Sequence, residues 1–89
     1  MIETYDILET WQRLTSEQPK KVSAHEYAVL CPVHSDQHPS LHLNDQKQLA
    51  LCRSCGWKGN ALTLTVALGV AQDTREARSA LKRFGVAQR

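Results

Sequence analysis

Hydrophobic positions near the start of the 89-residue chain recur with helical spacing. The segment 4–16 carries apolar side chains at i, i+1, i+4 and i+7, namely Ile7, Leu8, Trp11 and Leu14. This stripe predicts an amphipathic helix with one face against a core. Thr4 or Asp6 caps its start, and the stretch 16–21, which contains Pro19, ends it.

A second helix is predicted close to the end of the chain. Asp73 with Glu76 three residues later is typical of a capped first turn. The apolar stripe that follows consists of Ala77, Ala80, Leu81 and Phe84. Gly85 and Val86 then have the spacing of a Schellman ending, in which a left-handed glycine closes the last turn.

Alternating hydrophobic positions between these segments predict strands. The segment from Val22 to Leu30 is rich in β-formers and runs into Cys31, so it is interpreted as one strand. Segments 41–43 and 49–51 alternate in the same way, and the polar residues 44–47 between them predict a hairpin turn.

The segment from Asn60 to Leu68 fits two interpretations. Leucine and valine alternate with threonine and alanine, which is strand periodicity. Asn60 as an N-cap and Gly69 as a glycine just past the end instead favour a helix. These local patterns leave both possibilities open.

Length and composition bound the kinds of protein this chain can be. We expect residues 1–89 to form one small domain, which excludes a large cleft between domains. Aromatic residues make up only 6% of the chain, so a metal is a plausible supplement to a thin core. With no secretory or membrane-spanning segment apparent, the expected setting is cytoplasmic and reducing.

Charge is distributed unevenly along the sequence. Residues 1–45 hold 3 basic and 7 acidic side chains, whereas residues 46–89 hold 8 basic and 2 acidic ones. A basic half is compatible with phosphate contacts, although solvated helix faces produce the same pattern.

Cysteine and histidine form two short pairs. Cys31 and His34 are separated by two residues, as are Cys52 and Cys55, and Gly56 follows the second pair. Two-residue spacing lets a tight turn direct both side chains at one ion, and three thiolates with one imidazole suit a closed, structural zinc site. A redox dithiol and inert buried thiols are the alternatives.

Three other imidazoles compete with His34 for a place in the site. His25, His38 and His42 lack the two-residue spacing from a cysteine, so they are expected on the surface or on a strand face. The predicted zinc ligands are therefore Cys31, His34, Cys52 and Cys55.

The motifs together resemble the N-terminal zinc-binding domain of bacterial-type DNA primases. The resemblance runs through Cys31-Pro-Val-His34, Pro39-Ser40-Leu41, Lys47-Gln48-Leu49, Cys52-Arg-Ser-Cys55-Gly56 and Gly59-Asn60. It implies an α+β zinc ribbon, a small antiparallel sheet with flanking helices, and a helix after Asn60. The implied role is DNA replication priming, in which the domain binds single-stranded DNA template beside a catalytic primase domain.

The chain departs from the family pattern where aromatics are common. Leu49, Ala50, Leu51 and Arg53 stand on and just after the strand that leads into the second ligand pair. Aromatic platforms contribute about 1–3 kcal/mol per stacked base, and a guanidinium can partly substitute. Trp57 is either a stacking residue or a cover over the metal site.

Two function classes follow from these residues. The first is a DNA-binding module whose sheet face presents Lys47, Arg53, Trp57 and Lys58 to single-stranded template. The second is a protein-interaction zinc ribbon that docks through its amphipathic helices on a polymerase, helicase or primase partner. The carboxylates are scattered singly, so the chain is not expected to be an enzyme by itself.

Overall fold

A computed structural model of the chain describes residues 4–33 and 38–88. Within these ranges the elements follow one another as α1 Ile7–Thr15, β1 Lys20–Lys21, β2 Glu26–Val29, β3 Leu41–Asn44, β4 Leu49–Cys52, β5 Lys58–Gly59, α2 Ala61–Ala67 and α3 Thr74–Arg83. The five strands pair antiparallel in chain order, with β1 and β5 at the edges. The predicted α+β architecture is confirmed.

Helix α1 forms where the apolar stripe predicted it. Of the two possible caps the structure uses Asp6, whose carboxylate accepts a hydrogen bond of 3.0 Å from the Glu9 amide. The helix ends at Ser16, which adopts a left-handed conformation with φ of 62°. Ile7 and Trp11 are buried on its inner face, as the stripe requires.

The strand predicted from Val22 to Leu30 is confirmed only over Glu26–Val29, and its first half is wrong. The chain turns between β1 and β2, because the Val22 amide donates to the Glu26 carbonyl over 2.9 Å. Val22 and Leu30 both lie outside the strands and are exposed. β-Branched content predicted extended backbone, but it carries no information on where a strand changes partner.

The hairpin of β3 and β4 is confirmed, and its turn is tied to α1. Gln48 ends the turn with φ of 58°, and its side-chain carbonyl accepts from the Ile7 amide over 2.8 Å. That amide is one of those a helix start leaves without a partner. The turn therefore ties the hairpin of β3 and β4 to the start of the first helix.

The segment 61–67 is a helix, as the family resemblance implied. Asn60 and Thr63 form a reciprocal capping box, with the Thr63 amide donating to the Asn60 side chain over 3.0 Å. The alternating pattern does not produce a strand here, because the capped helix buries Leu64 in a core cluster together with residues of the sheet.

Helix α3 is confirmed with one correction to its apolar stripe. Asp73 caps its start, and the Val86 amide donates to the Leu81 carbonyl in the predicted Schellman ending. Phe84, however, is 43% exposed. It stands at the C-cap, where the chain already turns away from the face that Ala77 and Leu81 bury.

The sheet has one covered face and one open face. Strand β4 alternates exposed Leu49 and Leu51 with buried Ala50 and Cys52. Helices α1 and α2 contact the sheet, and the main core cluster lies between them and its covered face. That cluster consists of Ile7, Trp11, Val29, Cys31, Leu41, Leu43, Ala50, Cys52 and Leu64.

The two ends of the described chain are joined. Tyr5 and Gln88 form an isolated antiparallel bridge, and the Asp6 amide donates to the Ala87 carbonyl over 2.8 Å. No helix in residues 4–33 and 38–88 combines the length and apolar character needed to cross a membrane.

A test of the β5 to α2 junction follows from Gly59. A β-carbon placed there would lie 2.0 Å from the Thr63 hydroxyl that completes the capping box. We expect Gly59→Ala to lower the free energy of unfolding by about 1–3 kcal/mol in urea titrations.

The matched control for this substitution removes the obstructing hydroxyl. In a Thr63→Ala background, Gly59→Ala should cost clearly less than it does in the wild type, because the two residues compete for one space. Equal costs in both backgrounds would contradict the assigned clash.

Candidate metal centre and nucleic-acid interface

Three thiols converge at one end of the sheet. Cys31 follows β2, Cys52 ends β4, and Cys55 stands in the turn after β4. Their sulfur atoms all lie within 4.8 Å of one another, and all three cysteines are unbridged by disulfides. Cys31 and Cys52 are buried, whereas Cys55 is exposed.

The sulfur spacing fits a tetrahedral zinc ion. Zinc–thiolate bonds of about 2.3 Å place two sulfurs of a tetrahedron about 3.8 Å apart. The Cys31 and Cys55 sulfurs are 3.9 Å apart. Three soft sulfur donors at this separation select zinc over hard cations, which prefer oxygen.

The turn from Cys52 to Gly56 has the conformation of a metal-binding knuckle. The Gly56 amide donates to the Cys52 carbonyl over 2.9 Å, and Gly56 adopts φ of 79°, which glycine tolerates without strain. The Cys55 amide points at the Cys52 sulfur over 3.5 Å, and the Ser40 hydroxyl lies 3.4 Å from that sulfur. Both groups can stabilise a thiolate by hydrogen bonding.

His34, the predicted fourth ligand, lies outside the described residues. The three competing imidazoles are all on the surface or on a strand face, as predicted. His25 contacts Asp45 over 3.0 Å, His38 is exposed, and His42 stands on the open face of β3.

The structure divides the four predicted nucleic-acid residues between the two faces of the sheet. Lys47 and Lys58 both line a groove of about 590 Å³ on the open face. Arg53 reaches a residue of the same groove, because its guanidinium lies 3.7 Å from the Glu26 carboxylate. Trp57 is half-buried and packs against the core cluster that contains Cys31 and Cys52.

Trp57 and Lys58 separate because adjacent strand residues point to opposite faces. Lys58 pairs with exposed Leu51, whereas Gly59 pairs with buried Ala50. The residue two positions before Gly59 is Trp57, which therefore shares the covered side. Trp57 is predicted either to stack on a base or to cover the metal site, and its packing against the core cluster favours the second role.

Two further groove residues, Glu26 and His42, were not predicted from the sequence. Their strands pair in the register Glu26 with Asn44 and Ala28 with His42, which sets both on the open face. His42 is half-buried, and its Nδ1 atom is buried without a hydrogen-bond partner in the described chain. Charge and composition gave no signal for them, because strand register alone makes them neighbours.

Comparisons with known proteins agree with this geometry. Residues 3–87 match the family model described as the CHC2 zinc finger. The chain is 35% identical over 54 residues to a DNA primase of Clostridium acetobutylicum, covering 60% of the chain and 9% of the primase. It is 30% identical over 66 residues to a DNA primase of Synechocystis sp., covering 74% of the chain and 10% of that primase.

A solved structure matches most of the fold. The crystal structure of the Aquifex aeolicus primase, with its zinc binding and RNA polymerase domains, superposes with a TM-score of 0.66 and 26% identity. The match covers 94% of this chain and 22% of that one.

The chain spans about a tenth of the length of the curated relatives it matches. A zinc-binding domain is indicated by the ribbon fold, by the three clustered thiols and by the primase relatives. The cofactor of the chain is zinc. The chain therefore belongs to the CHC2 zinc finger family and is a zinc-binding domain of the bacterial DNA primase type.

Proposed function

We propose that this domain holds single-stranded DNA template on the open face of its sheet while a separate catalytic primase domain starts the RNA primer. The observation that carries the proposal is the groove with Lys47 and Lys58 on its walls. Neither ammonium group has a carboxylate within ion-pair distance among the described residues. Exposed, uncompensated cations along a groove favour a phosphate backbone.

The packing of the helices supports this function over protein docking through their apolar stripes. Trp11 is 3% exposed and Leu64 is fully buried, so the stripes of α1 and α2 are used in the core. The open face of the sheet, by contrast, is accessible to a ligand.

We further propose that zinc is held by Cys31, His34, Cys52 and Cys55. The convergence of the three sulfurs supports the cysteines, and the two-residue spacing from Cys31 supports His34. Three thiolates and one Zn²⁺ add one negative charge, so the loaded chain has a net charge near +1 from its formal +2. Binding of DNA must then depend on local and not on total charge.

This assignment gives zinc a structural role and leaves catalysis to another domain. Four protein ligands fill a tetrahedral site and leave no position for water or substrate. Residues 1–89 are proposed to fold as one unit, a proposal supported by the bridge between Tyr5 and Gln88.

Template binding can be tested with a labelled oligonucleotide across a salt series. We expect the Lys47→Ala, Lys58→Ala double variant to bind about tenfold or more weakly at low salt. The slope of log K against log salt should also fall by about 1.4, since each lost phosphate contact on a single strand removes about 0.7.

The control variant also removes two positive charges, but from a surface outside the groove. Arg75 and Arg83 are exposed on α3, away from the groove, and Arg75→Ala with Arg83→Ala should leave most of the affinity intact. Undetectable binding by the zinc-loaded wild type at low salt, or equal losses in both double variants, would contradict the proposal.

A further inference from the structure

The groove on the open face contains an acidic residue, although a carboxylate weakens the binding of phosphate. Glu26 lines the groove beside Lys47 and Lys58, and its side chain is 33% exposed. Within residues 4–33 and 38–88 its carboxylate accepts no hydrogen bond. Its polar contact there is the Arg53 guanidinium at 3.7 Å.

We propose that the Glu26 carboxylate reads one unpaired base of the bound strand and that the base it selects is guanine. The proposal rests on the template binding proposed above and names the residue that gives it base preference. Glu26 thereby determines specificity, while Lys47 and Lys58 supply affinity.

The electrostatics of the groove support this division. A carboxylate repels phosphate and lowers the affinity for any strand, unless a donor on the ligand compensates it. Bases carry such donors, whereas the sugar–phosphate backbone of DNA carries none. A half-buried carboxylate without a hydrogen bond therefore fits the edge of a base better than any other part of the strand.

The groove is also large enough to take a base. Its volume of about 590 Å³ falls within the range of small-ligand sites, which is about 300–1,000 Å³. Leu49 and Leu51 project into it from β4, and both are about half exposed. Their aliphatic surface can cover the flat face of a base.

Guanine is selected by the geometry of hydrogen-bond donors. An ionised carboxylate is acceptor-only and offers two parallel oxygens. The Watson–Crick edge of guanine presents two adjacent donors, N1–H and the N2 amino group, which match those oxygens. Adenine and cytosine each offer one amino group on that edge, and thymine offers one N–H between two repelling carbonyls.

The contact with Arg53 leaves the carboxylate able to change partners. Exposed ion pairs are weak, and this pair is longer than a hydrogen bond, with Arg53 60% exposed. A phosphate of the strand can take up the guanidinium while guanine takes up the carboxylate. His42, whose Nδ1 atom lacks a partner, borders the same groove and is a second polar group for the ligand.

The test compares base preference and not affinity alone. Thymidine oligonucleotides carrying one central guest base are titrated by fluorescence anisotropy against the zinc-loaded protein. We expect the guanine guest to bind at least about fivefold tighter than thymine, the factor that 1 kcal/mol produces. In Glu26→Gln this ratio should fall below about twofold, while the thymine strand binds more tightly because one negative charge is lost.

Two control variants separate the possible failures. Glu76→Gln removes the same charge from exposed α3 and should keep the wild-type ratio. Lys47→Ala with Lys58→Ala should weaken every strand and keep the ratio as well. An unchanged ratio in Glu26→Gln, or no preference in the wild type, overturns the role of Glu26, whereas failure of every strand to bind overturns the proposed function itself.

Discussion

Removal of zinc with a chelator is expected to abolish the cooperative unfolding transition of this domain. Structural zinc contributes an apparent 10–16 kcal/mol, on the order of or above the 5–15 kcal/mol that stabilises a whole domain. In the proposed site the metal would link Cys31 after β2 to Cys52 on β4, and both thiols belong to the core cluster. Strands β2 and β4 do not pair with each other. Removal of the ion therefore removes a cross-link between their ends.

Circular dichroism of the stripped protein during heating measures this effect. We expect a shallow, non-cooperative signal that returns to a cooperative transition when zinc is added back. A cooperative melt of unchanged midpoint in the stripped protein would contradict the structural role of zinc.

The fourth ligand can be identified by the same measurement with two histidine variants. His34→Ala should lose most of its zinc affinity and with it the transition, because three thiolates then hold the ion with an open position. His42→Ala removes an imidazole that lies on the open face and should retain zinc. Equal zinc content in both variants would show that His34 is not a ligand.

Replacement of Leu64 by alanine has the second largest expected effect. Leu64 is fully buried in α2 and belongs to the cluster shared by α1, the sheet and two cysteines. Leucine-to-alanine changes at such sites cost about 2–5 kcal/mol, from lost burial and from the cavity left behind. We expect this loss in the free energy of unfolding of the zinc-loaded protein.

Leu49→Ala provides the matched control, since it removes the same atoms from a side chain that is 49% exposed. Its cost should stay near or below about 1 kcal/mol, because little surface is returned to water. Urea titrations at fixed free zinc compare the two variants directly. Equal destabilisation would mean that Leu64 does not connect the helices to the sheet as the structure shows.

Features that depend on near neighbours in the chain were predictable from the sequence. The Asp73 cap, the Schellman ending at Gly85 and the paired metal-binding residues all act within a few residues, so their spacing is visible directly. The hairpin of β3 and β4 was predictable for the same reason, since a short polar turn joins its strands.

Predictions were less accurate where a hydrophobic pattern fits more than one local conformation. Val22 has the composition of a strand, yet its amide bonds back to Glu26 and the chain turns. Phe84 has the spacing of a core residue, yet it falls at the position where α3 ends. In both cases the hydrophobic pattern alone does not mark the residue at which the strand begins or the helix ends.

By itself the sequence determined that this chain is a metal-binding α+β domain, because ligand spacing and helix caps are local properties of the chain. Tertiary structure alone decided which residues share a surface. Antiparallel register set Glu26, His42 and Lys58 on the open face and left Trp57 on the covered one. Register follows from which strands pair across long stretches of chain, and no single segment encodes that choice.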